Sequence, residues 1–597
     1  QGQPDLFPEA SLYNDLNYGK NRAKLSWYVI DPSIFYVNNS LFAVEDIPDS
    51  IKNNHNMRQI LVNEVFPNVN LPPGQLPNIP VFDLSYFPKE RGPYNYDLNP
   101  SNYSSGVDPN SGELNDPDSR WAGIMRTLTT NDFEAANIEF IQFWMMDPFN
   151  EDTKNTTGGD FYINLGNISE DVLRDGRKSF ENGLPPDGDF NANANELDFT
   201  EWGVIPNTQA IVNAFDNNLS SREHQDVGFD GLPDEKEETY FDDFVNGAQN
   251  YFTNPVALQK VLNDPSSDNY RYYRDDDYSG QTSIIDRYKN YNSPDGNSPT
   301  SEMSDTMNAD GYPTSASTLP NIEDINLDNN LSETESYFQY KIQLDPNNMQ
   351  IGKNYITDIF EPPSSVLPNG KSIKWYQFRV PVSEFSKRVN DIQDFRSIRF
   401  IRMFMHGWSE EVTLRFARLE LIRGEWRRYL GSLLADGEYI QNEEQTTQFN
   451  ISAVSIEENG GRQPINYVLP PNIIRQQNTQ FIGNQVNEQS LVLDVCGLKD
   501  GDSKAIYRNV NLDVRNYNKI QMFVHGETNP GTTPANDNEV TVFVRLGTDF
   551  VSNYYEYEMP LKISPWYNNN DYSVWPEENN MVINLQALKD LKEERNF

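Results

Sequence analysis

The stretch that decides the fold reads SIRFIRMFMHGWSEEVTLRFARLELIRGEW and covers Ser397–Trp426. In its first half, one face alternates Phe with Arg and His, and the other face is apolar after its first residue. This period of two predicts a β-strand that buries one or both faces. A turn at His406–Ser409 follows, and a second alternating run begins at Val412. Two such runs joined by a short loop with glycine predict a β-hairpin.

The same order of strand, histidine, glycine and strand occurs again later in the chain. Lys519–Gly526 reads KIQMFVHG, and Val540–Gly547 then reads VTVFVRLG. A looser copy, NIEFIQFWMMDP, lies earlier at Asn137–Pro148 and is followed by FYINLG at Phe161–Gly166. Any β-rich chain contains similar hairpins, but the shared His-Gly favours a true repeat for the two later copies.

These copies lead to a prediction of fold class. A unit of roughly 100–120 residues built from short alternating strands has the size of one β-sandwich. We therefore predict an all-β protein with two or three β-sandwich (jelly-roll-like) units and long polar loops. His406 and His525 should occupy equivalent structural positions, and Phe400, Phe404 and Met522 should be buried.

Shifts in composition divide the chain into five regions. A length of 597 residues fits three to five domains, at roughly 100–200 residues each. We predict an irregular, extended region (1–120), a first β-rich unit (121–219), an acidic, loop-rich insertion (220–330), a second β-sandwich (331–435) and a third (436–597). Helices are predicted at Ser169–Asn182, with Ser169 as the N-cap, and at Pro255–Leu262.

Charge is the most informative compositional property. The chain has 47 Lys and Arg against 89 Asp and Glu, a formal net charge of −42. Such a chain repels nucleic acids and anionic lipid surfaces, so a nucleic-acid-binding protein is disfavoured. The charge serves solubility, and it also suits carboxylates that are neutralised by Ca²⁺. The single cysteine, Cys496, excludes an intrachain disulfide and fits a secreted bacterial protein.

The clearest local motif is DVGFDGLPDEKE at Asp226–Glu237. Numbered from its first residue, side-chain oxygens fall at positions 1, 5, 9 and 12, glycine at 6 and a main-chain carbonyl at 7, close to a calcium-binding loop. Position 3 is Gly228, so a water or another segment must complete the shell. A solvated acidic turn is the alternative. The sequence predicts structural Ca²⁺, with these ligands: Asp226, Asp230, Leu232, Asp234 and Glu237.

Other constellations give weaker signals. Asp187–Asn193 alternates oxygen-bearing side chains, but a polar turn explains this equally well. The chain has no G-x-S-x-G elbow, phosphate loop or H-E-x-x-H motif, and its four His residues are scattered, so we predict no catalytic centre. Tryptophans near strand ends, such as Trp408 and Trp426, could stack on sugars, although closing the ends of a sandwich core is favoured.

Part of the chain resembles a known family. Phe140–Pro185 contains FIQFWMMDPF and FYINLGNISEDVLRDGRKSFENGLP, and this stretch, DVGFDGLPDE and both HG-containing segments are similar to the SprA/Sov family. That family comprises very large outer-membrane translocon proteins of the type IX secretion system, linked in some bacteria to gliding motility. The resemblance implies an outer-membrane or cell-surface conduit that exports folded cargo with other secretion subunits and has no enzymatic activity.

The chain would be only a fragment of such a protein. No run approaches 18 consecutive apolar residues, so no transmembrane helix is expected, and a long series of barrel-wall strands is also missing. We therefore expect a soluble or capping part of a large outer-membrane β-barrel protein, with membrane association through flanking parts. The alternatives are a secreted, calcium-stabilised array of glycan-binding modules and a glycoside hydrolase.

Overall fold

The chain forms two compact units in a computed structural model. Unit 1 comprises residues 1–60 and 78–423, and unit 2 comprises residues 61–77 and 424–597. The structure describes the following residues: 2–35, 47–69, 71, 77–155, 157–208, 214–275, 277–298, 300, 319–367, 369–429, 433, 447–462, 466–477, 485–510, 516–529, 531–550 and 552–596.

Thirteen strands are described in unit 1. They are β1 (Ala23–Tyr28), β2 (Phe82–Arg91), β3 (Trp121–Thr127), β4 (Ile138–Met146), β5 (Gly159–Asn167), β6 (Leu197–Thr200), β7 (Gly203–Pro206), β8 (Ser336–Leu344), β9 (Ile356–Phe360), β10 (Trp375–Pro381), β11 (Lys387–Val389), β12 (Phe400–His406) and β13 (Val412–Arg423).

Eleven of these strands form two antiparallel sheets. The six-stranded sheet has the order β1-β2-β13-β4-β10-β9, and the five-stranded sheet has the order β11-β8-β5-β12-β3. β6 and β7 pair separately. Consecutive strands such as β4 and β5, or β12 and β13, lie in different sheets. The chain therefore crosses repeatedly from one sheet to the other, as in a β-sandwich.

Aromatic side chains from both sheets build the core. The ring of Phe161, on β5, lies 6.4 Å from that of Phe143 on β4 and 5.4 Å from that of Phe416 on β13. Phe143 also stacks on Phe378 of β10 at 4.9 Å. These contacts place the inner faces of the two sheets against each other. The predicted all-β class is therefore confirmed, with strands in antiparallel sheets.

Ser397–Trp426 forms two strands, but the predicted hairpin is wrong. β12 pairs with β3 and β5 in the five-stranded sheet, whereas β13 pairs with β2 and β4 in the other. The alternation of apolar and polar residues predicts a strand and its buried faces, but it does not predict which strand pairs with it. Here the pairing strands lie far away in the sequence. Phe400 and Phe404 are buried as predicted, and both faces of β12 are covered.

The arrangement of unit 1 differs from the regions expected from composition. Strands from 121–219 and 331–435 interleave in both sheets, and β1 and β2 from 1–120 join the six-stranded sheet, so the three regions form one unit. The region 220–330, expected to be a loop-rich insertion, supplies helices whose side chains, including Phe241, Phe244 and Val261, join the sandwich core. Its residues 276, 299 and 301–318 lie outside the described part of the chain.

Short helices connect the strands. In unit 1 they are α1 (Asp49–Lys52), α3 (Phe133–Ala136), α4 (Leu219–Arg222), α5 (Asp234–Tyr240), α6 (Asp242–Tyr251), α7 (Pro255–Leu262) and α8 (Ile284–Tyr288); in unit 2 they are α2 (Val62–Val65), α9 (Ile456–Asn459), α10 (Asp571–Val574) and α11 (Leu585–Asn596). The prediction of Pro255–Leu262 is confirmed, with Asn254 as the N-cap. None of the described helices has the length and apolar character that a membrane crossing requires.

The helix predicted at Ser169–Asn182 is wrong. This segment consists of bends and turns, and Arg174 and Gly176 have positive φ angles of 60° and 69°, which a helix does not allow. Buried carboxylates take its backbone N–H groups instead. Glu323 accepts from Val172 at 2.6 Å and from Leu173 at 3.1 Å.

Unit 2 contains paired strands. They are β14 (Arg427–Arg428), β15 (Gln448–Ser455), β16 (Gln489–Cys496), β17 (Ile506–Tyr507), β18 (Lys519–Phe523), β19 (Thr541–Gly547), β20 (Tyr554–Pro560) and β21 (Asn580–Asn584). β18 pairs with β21 and β19 with β20, so this copy of the repeat is not a hairpin either. Met522 was predicted to be buried but is 38% exposed, on a strand that pairs with β21.

Candidate metal centre

The motif Asp226–Glu237 folds as a turn that leads into a helix. Gly231 has a φ of 66°, and a Cβ there would lie 1.9 Å from the carbonyl oxygen of Val204. Glycine is therefore required at the position where the sequence predicted the sharp turn. α5 begins at Asp234 and carries Glu237 in its first turn, so the last two predicted ligands share a helix.

Two predicted ligands converge with a carboxylate from another segment. Oxygens of Asp230, Glu237 and Asp268 lie within 4.8 Å of one another, and all three residues are fully buried. Ser266 supports the group, since its hydroxyl donates to Asp230 Oδ2 at 2.6 Å and its backbone N–H donates to Glu237 Oε2 at 3.0 Å. We call Asp230, Glu237 and Asp268 the acidic triad.

Asp268 takes the place of the side chain that Gly228 lacks. Gly228 has a φ of 72°, and a Cβ at that residue would lie 2.4 Å from Asp268 Oδ2. The loop after α7 therefore inserts a carboxylate beside position 3 of the motif. Sequence reasoning required another segment here but missed Asp268, since no local spacing connects the two loops.

A second acidic group shares Glu237. Oxygens of Asp234, Glu237 and Asp295 also lie within 4.8 Å of one another. Asn269 donates to both carboxylate oxygens of Asp234, at 3.0 and 3.1 Å. The backbone N–H of Asp295 donates to the carbonyl of Asp268 at 3.1 Å, which links the loops that supply the two groups.

Three carboxylate oxygens of the triad lack a good hydrogen-bond donor. Glu237 Oε1 and both oxygens of Asp268 accept no hydrogen bond of normal geometry from the described residues, although the Tyr94 hydroxyl lies near Asp268. Two cations, the buried Lys24 and the half-buried Arg91, act on this region through their charge. Their N–H groups donate elsewhere, to the Ser293 hydroxyl at 3.1 Å and to the Asn95 carbonyl at 2.7 Å.

Burial and mutual repulsion dominate the electrostatics of these carboxylates. Burial raises the pKa of Asp230, Glu237 and Asp268 well above the usual range, and each is raised further by a neighbouring triad carboxylate. The pKa of Asp295 is raised in the same way, by burial and then by Glu237. Burial also raises the pKa of Asp234 to about 6. Negative charge is costly here unless a cation compensates it.

The remaining predicted ligands contribute no carboxylate oxygen to the triad. Asp226 accepts from the backbone N–H of Ser298 at 2.7 Å and interacts electrostatically with Glu181, and burial raises its pKa to about 7. Leu232 buries its side chain in the core, and its N–H donates to Asp230 Oδ1 at 3.1 Å. The structure thus brings two of the five predicted residues together in the triad, and the full five-residue ligand set stays a prediction.

The other acidic groups are satisfied largely by the backbone, although Asp175 Oδ2 has no donor among the described residues. Asp171, Asp175 and Glu323 form a third buried group, but Glu323 and Asp171 each accept at least two backbone N–H groups. The Asp187–Asn193 segment is a polar turn on the surface, where Asp187 and Asp189 accept N–H groups of their own turn at 3.0 Å.

Replacement of Gly228 by alanine tests the close approach of Asp268. We expect a destabilisation of roughly 1–3 kcal/mol from positive φ, with a further loss because the new Cβ displaces Asp268. Gly296→Ala is a matched control, since Gly296 has a φ of 74° but no atom within 4 Å of its Cβ position. Urea-induced unfolding should show the larger loss for Gly228→Ala, and equal losses would contradict the contact.

The tryptophan Trp408 belongs to the core, as the sequence favoured. It is fully buried, and its indole N–H donates to the carbonyl of Asp160 at 3.0 Å. Trp426 is 36% exposed.

His406 ends β12 and is half-buried, and burial lowers its pKa. His525 lies just after β18, with Nδ1 2.6 Å from the Val574 carbonyl oxygen. Their structural equivalence stays a prediction.

Comparison with known families identifies the chain more closely than the site does. A family model described as SprA_N, motility related/secretion protein, matches residues 243–597, which is more than half of the chain. No curated protein matches it. The match includes β8–β13 of unit 1 and all the strands of unit 2, but it begins after the motif that carries Asp230 and Glu237. As the resemblance predicted, the chain belongs to the SprA_N family of motility-related and secretion proteins.

Proposed function

We propose that the chain is part of the type IX secretion translocon, an outer-membrane conduit that exports folded proteins and supports gliding motility. The observation that carries this proposal is the family match over residues 243–597, because a motility- and secretion-related family is consistent with a location in the cell envelope. In this role the chain needs no catalytic centre of its own.

The proposed partners are exported cargo proteins and other subunits of the secretion system. A net charge of −42 opposes binding to nucleic acids and anionic lipid surfaces. We propose that other parts of the full protein provide the association with the membrane. This portion then contributes the two-sheet unit 1 together with unit 2.

An in-frame deletion tests the proposal in a bacterium that encodes the full protein. Removal of residues 1–597 is expected to abolish the appearance of secreted proteins in the medium and the spreading of colonies, as in a strain that lacks the whole gene. A wild-type copy should restore both phenotypes, and so should a copy with Phe199→Ala, because this side chain is 53% exposed.

Unchanged export and spreading would contradict the proposal, provided that the shortened protein accumulates to the wild-type level. Saturable binding of the purified chain to cell-wall polysaccharides, together with normal export, would instead favour an array of glycan-binding modules.

A further inference from the structure

We propose that Asp230, Glu237 and Asp268 bind one Ca²⁺ ion, which fixes the loop before α5 to the loop after α7. This inference goes beyond the role in secretion and does not depend on it. The family match begins at residue 243, so two of the three residues lie outside the matched region.

The first argument is that three carboxylates converge although no cationic side chain of the described residues is hydrogen-bonded to them; Lys24 and Arg91 act on them only through their charge. The three carboxylates come from a turn, a helix and a separate loop, yet their oxygens lie within 4.8 Å of one another at fully buried positions. Burying an uncompensated charge costs several kcal/mol, so buried charges are normally paired or coordinate metals. The buried ion pairs of unit 1, such as Arg120–Asp97 and Arg415–Asp83, lie elsewhere.

The second argument is that some buried carboxylate oxygens of the triad accept no hydrogen bond. Glu237 Oε1 and both Asp268 oxygens lack a hydrogen bond of normal geometry, although both residues are fully buried. Buried polar atoms are normally satisfied, and an unsatisfied atom in a native protein often marks an ion or a water. Gly228 leaves the space into which Asp268 reaches.

The third group, Asp171, Asp175 and Glu323, provides an internal comparison. It is also buried and acidic, but backbone N–H groups already donate to five of its six carboxylate oxygens. Of its six oxygens only Asp175 Oδ2 lacks a donor, whereas three of the six triad oxygens do. Burial of acidic side chains alone does not distinguish the two groups, but the number of unsatisfied oxygens does, and it favours the triad as the place for a cation.

The ligand atoms point to calcium among the common metals. All three side chains offer hard oxygen ligands, and neither histidine nor cysteine belongs to the group. Zinc, iron and copper sites normally use nitrogen or sulfur ligands. Calcium accepts six to eight oxygens in flexible geometry, whereas magnesium keeps several waters and demands an octahedron. A fully buried triad leaves little room for such waters, and nearby Asp234 and Asp295 add negative charge.

The expected consequence of binding is a more rigid junction in unit 1. The triad joins the Asp226–Glu237 motif to Asp268, and the backbone of Asp268 in turn accepts from Asp295. The helices α5–α7 pack on the sandwich from this side through Phe241, Phe244 and Val261. The cation would thus hold an acidic segment in place against the core.

Calorimetric titration of the EGTA-stripped 597-residue chain tests the proposal. We expect saturable binding of one Ca²⁺ per chain in the presence of excess Mg²⁺. Melting should shift upward by about 3 °C at a calcium concentration roughly 100 times the dissociation constant. Asp268→Asn and Glu237→Gln should each weaken binding at least roughly tenfold, since each removes a charged ligand.

Control variants distinguish calcium binding at the triad from nonspecific binding to other acidic side chains. Asp175→Asn removes a carboxylate of the third group and should leave calcium affinity unchanged. In EGTA the two triad variants should melt at or above the wild-type temperature, because each replaces a buried carboxylate that repels its neighbours with an isosteric amide. Absence of calcium binding in the wild type, wild-type affinity in both triad variants, or equal stabilisation by magnesium would each overturn the proposal.

Terbium luminescence gives a result that does not depend on the folding of variants. The hydroxyl of Tyr96 lies 2.8 Å from that of Ser266, which donates to Asp230, so a lanthanide at the triad lies close to a tyrosine. Excitation of tyrosine should sensitise Tb³⁺ emission, and Ca²⁺ should displace it. Emission that calcium does not displace would overturn the assignment.

Discussion

Arg120→Met is expected to destabilise unit 1 by about 3–5 kcal/mol, because it leaves a buried carboxylate without its partner. Arg120 and Asp97 are both fully buried, with Nη1 2.9 Å from Oδ2. The same guanidinium donates to the carbonyls of Lys20, Gly106 and Asn115 at 2.8–3.0 Å. One side chain therefore connects loops that precede and follow β2.

The matched control is Arg396→Met. Arg396 pairs with Glu134 at 2.9 Å, but its side chain is 69% exposed, so the pair is screened by solvent and its loss should be close to neutral. Urea-induced unfolding of both variants measures the difference. Similar midpoints for Arg120→Met, Arg396→Met and the wild type would contradict the buried network.

Phe143→Ala is expected to cost about 3–5 kcal/mol, the range for truncating a buried phenylalanine. Its ring is fully buried, stacks on Phe378 and lies 5.3 Å from Phe416 and 6.4 Å from Phe161. Since Phe161 belongs to the opposite sheet, the substitution opens a cavity where the two sheets meet.

Phe199→Ala provides the comparison for this second variant. Phe199 lies on β6 and is 53% exposed, so its truncation should change the free energy of unfolding by no more than about 0.5 kcal/mol. Denaturant unfolding of the two variants in parallel is the measurement. An equally small loss for Phe143→Ala would show that the two sheets do not share this aromatic core.

The sequence predicted strands more reliably than their pairing. Alternation at Ser397–Trp426 correctly indicated strands with buried faces, because the period of two is a local property. The hairpin failed because β12 and β13 each find partners far away in sequence, in different sheets. The domain boundaries predicted from composition also missed long-range packing. The acidic segment 220–330 was expected to be an insertion, yet its helices pack on the sandwich through a few aromatic side chains.

At the candidate site, too, the sequence predicted the residues that are close together in the chain but not the one that the fold brings from elsewhere. Gly231, Asp230 and Glu237 could be chosen from spacing alone, since the turn and the first turn of α5 are close in sequence. Asp268 could not be chosen, because only the fold brings its loop to Gly228. The gap at Gly228 was nevertheless a usable signal that another segment contributes. Calcium binding itself stays a prediction.

Crystals grown with calcium test the metal site most directly, through the anomalous difference map. We predict a peak about 2.3–2.6 Å from carboxylate oxygens of Asp230, Glu237 and Asp268, the usual calcium–oxygen distance. The peak should be absent in crystals of Asp268→Asn grown in the same way. A map without a peak at the triad at saturating calcium, or with a peak only at the exposed Asp187–Asn193 turn, would contradict the assignment.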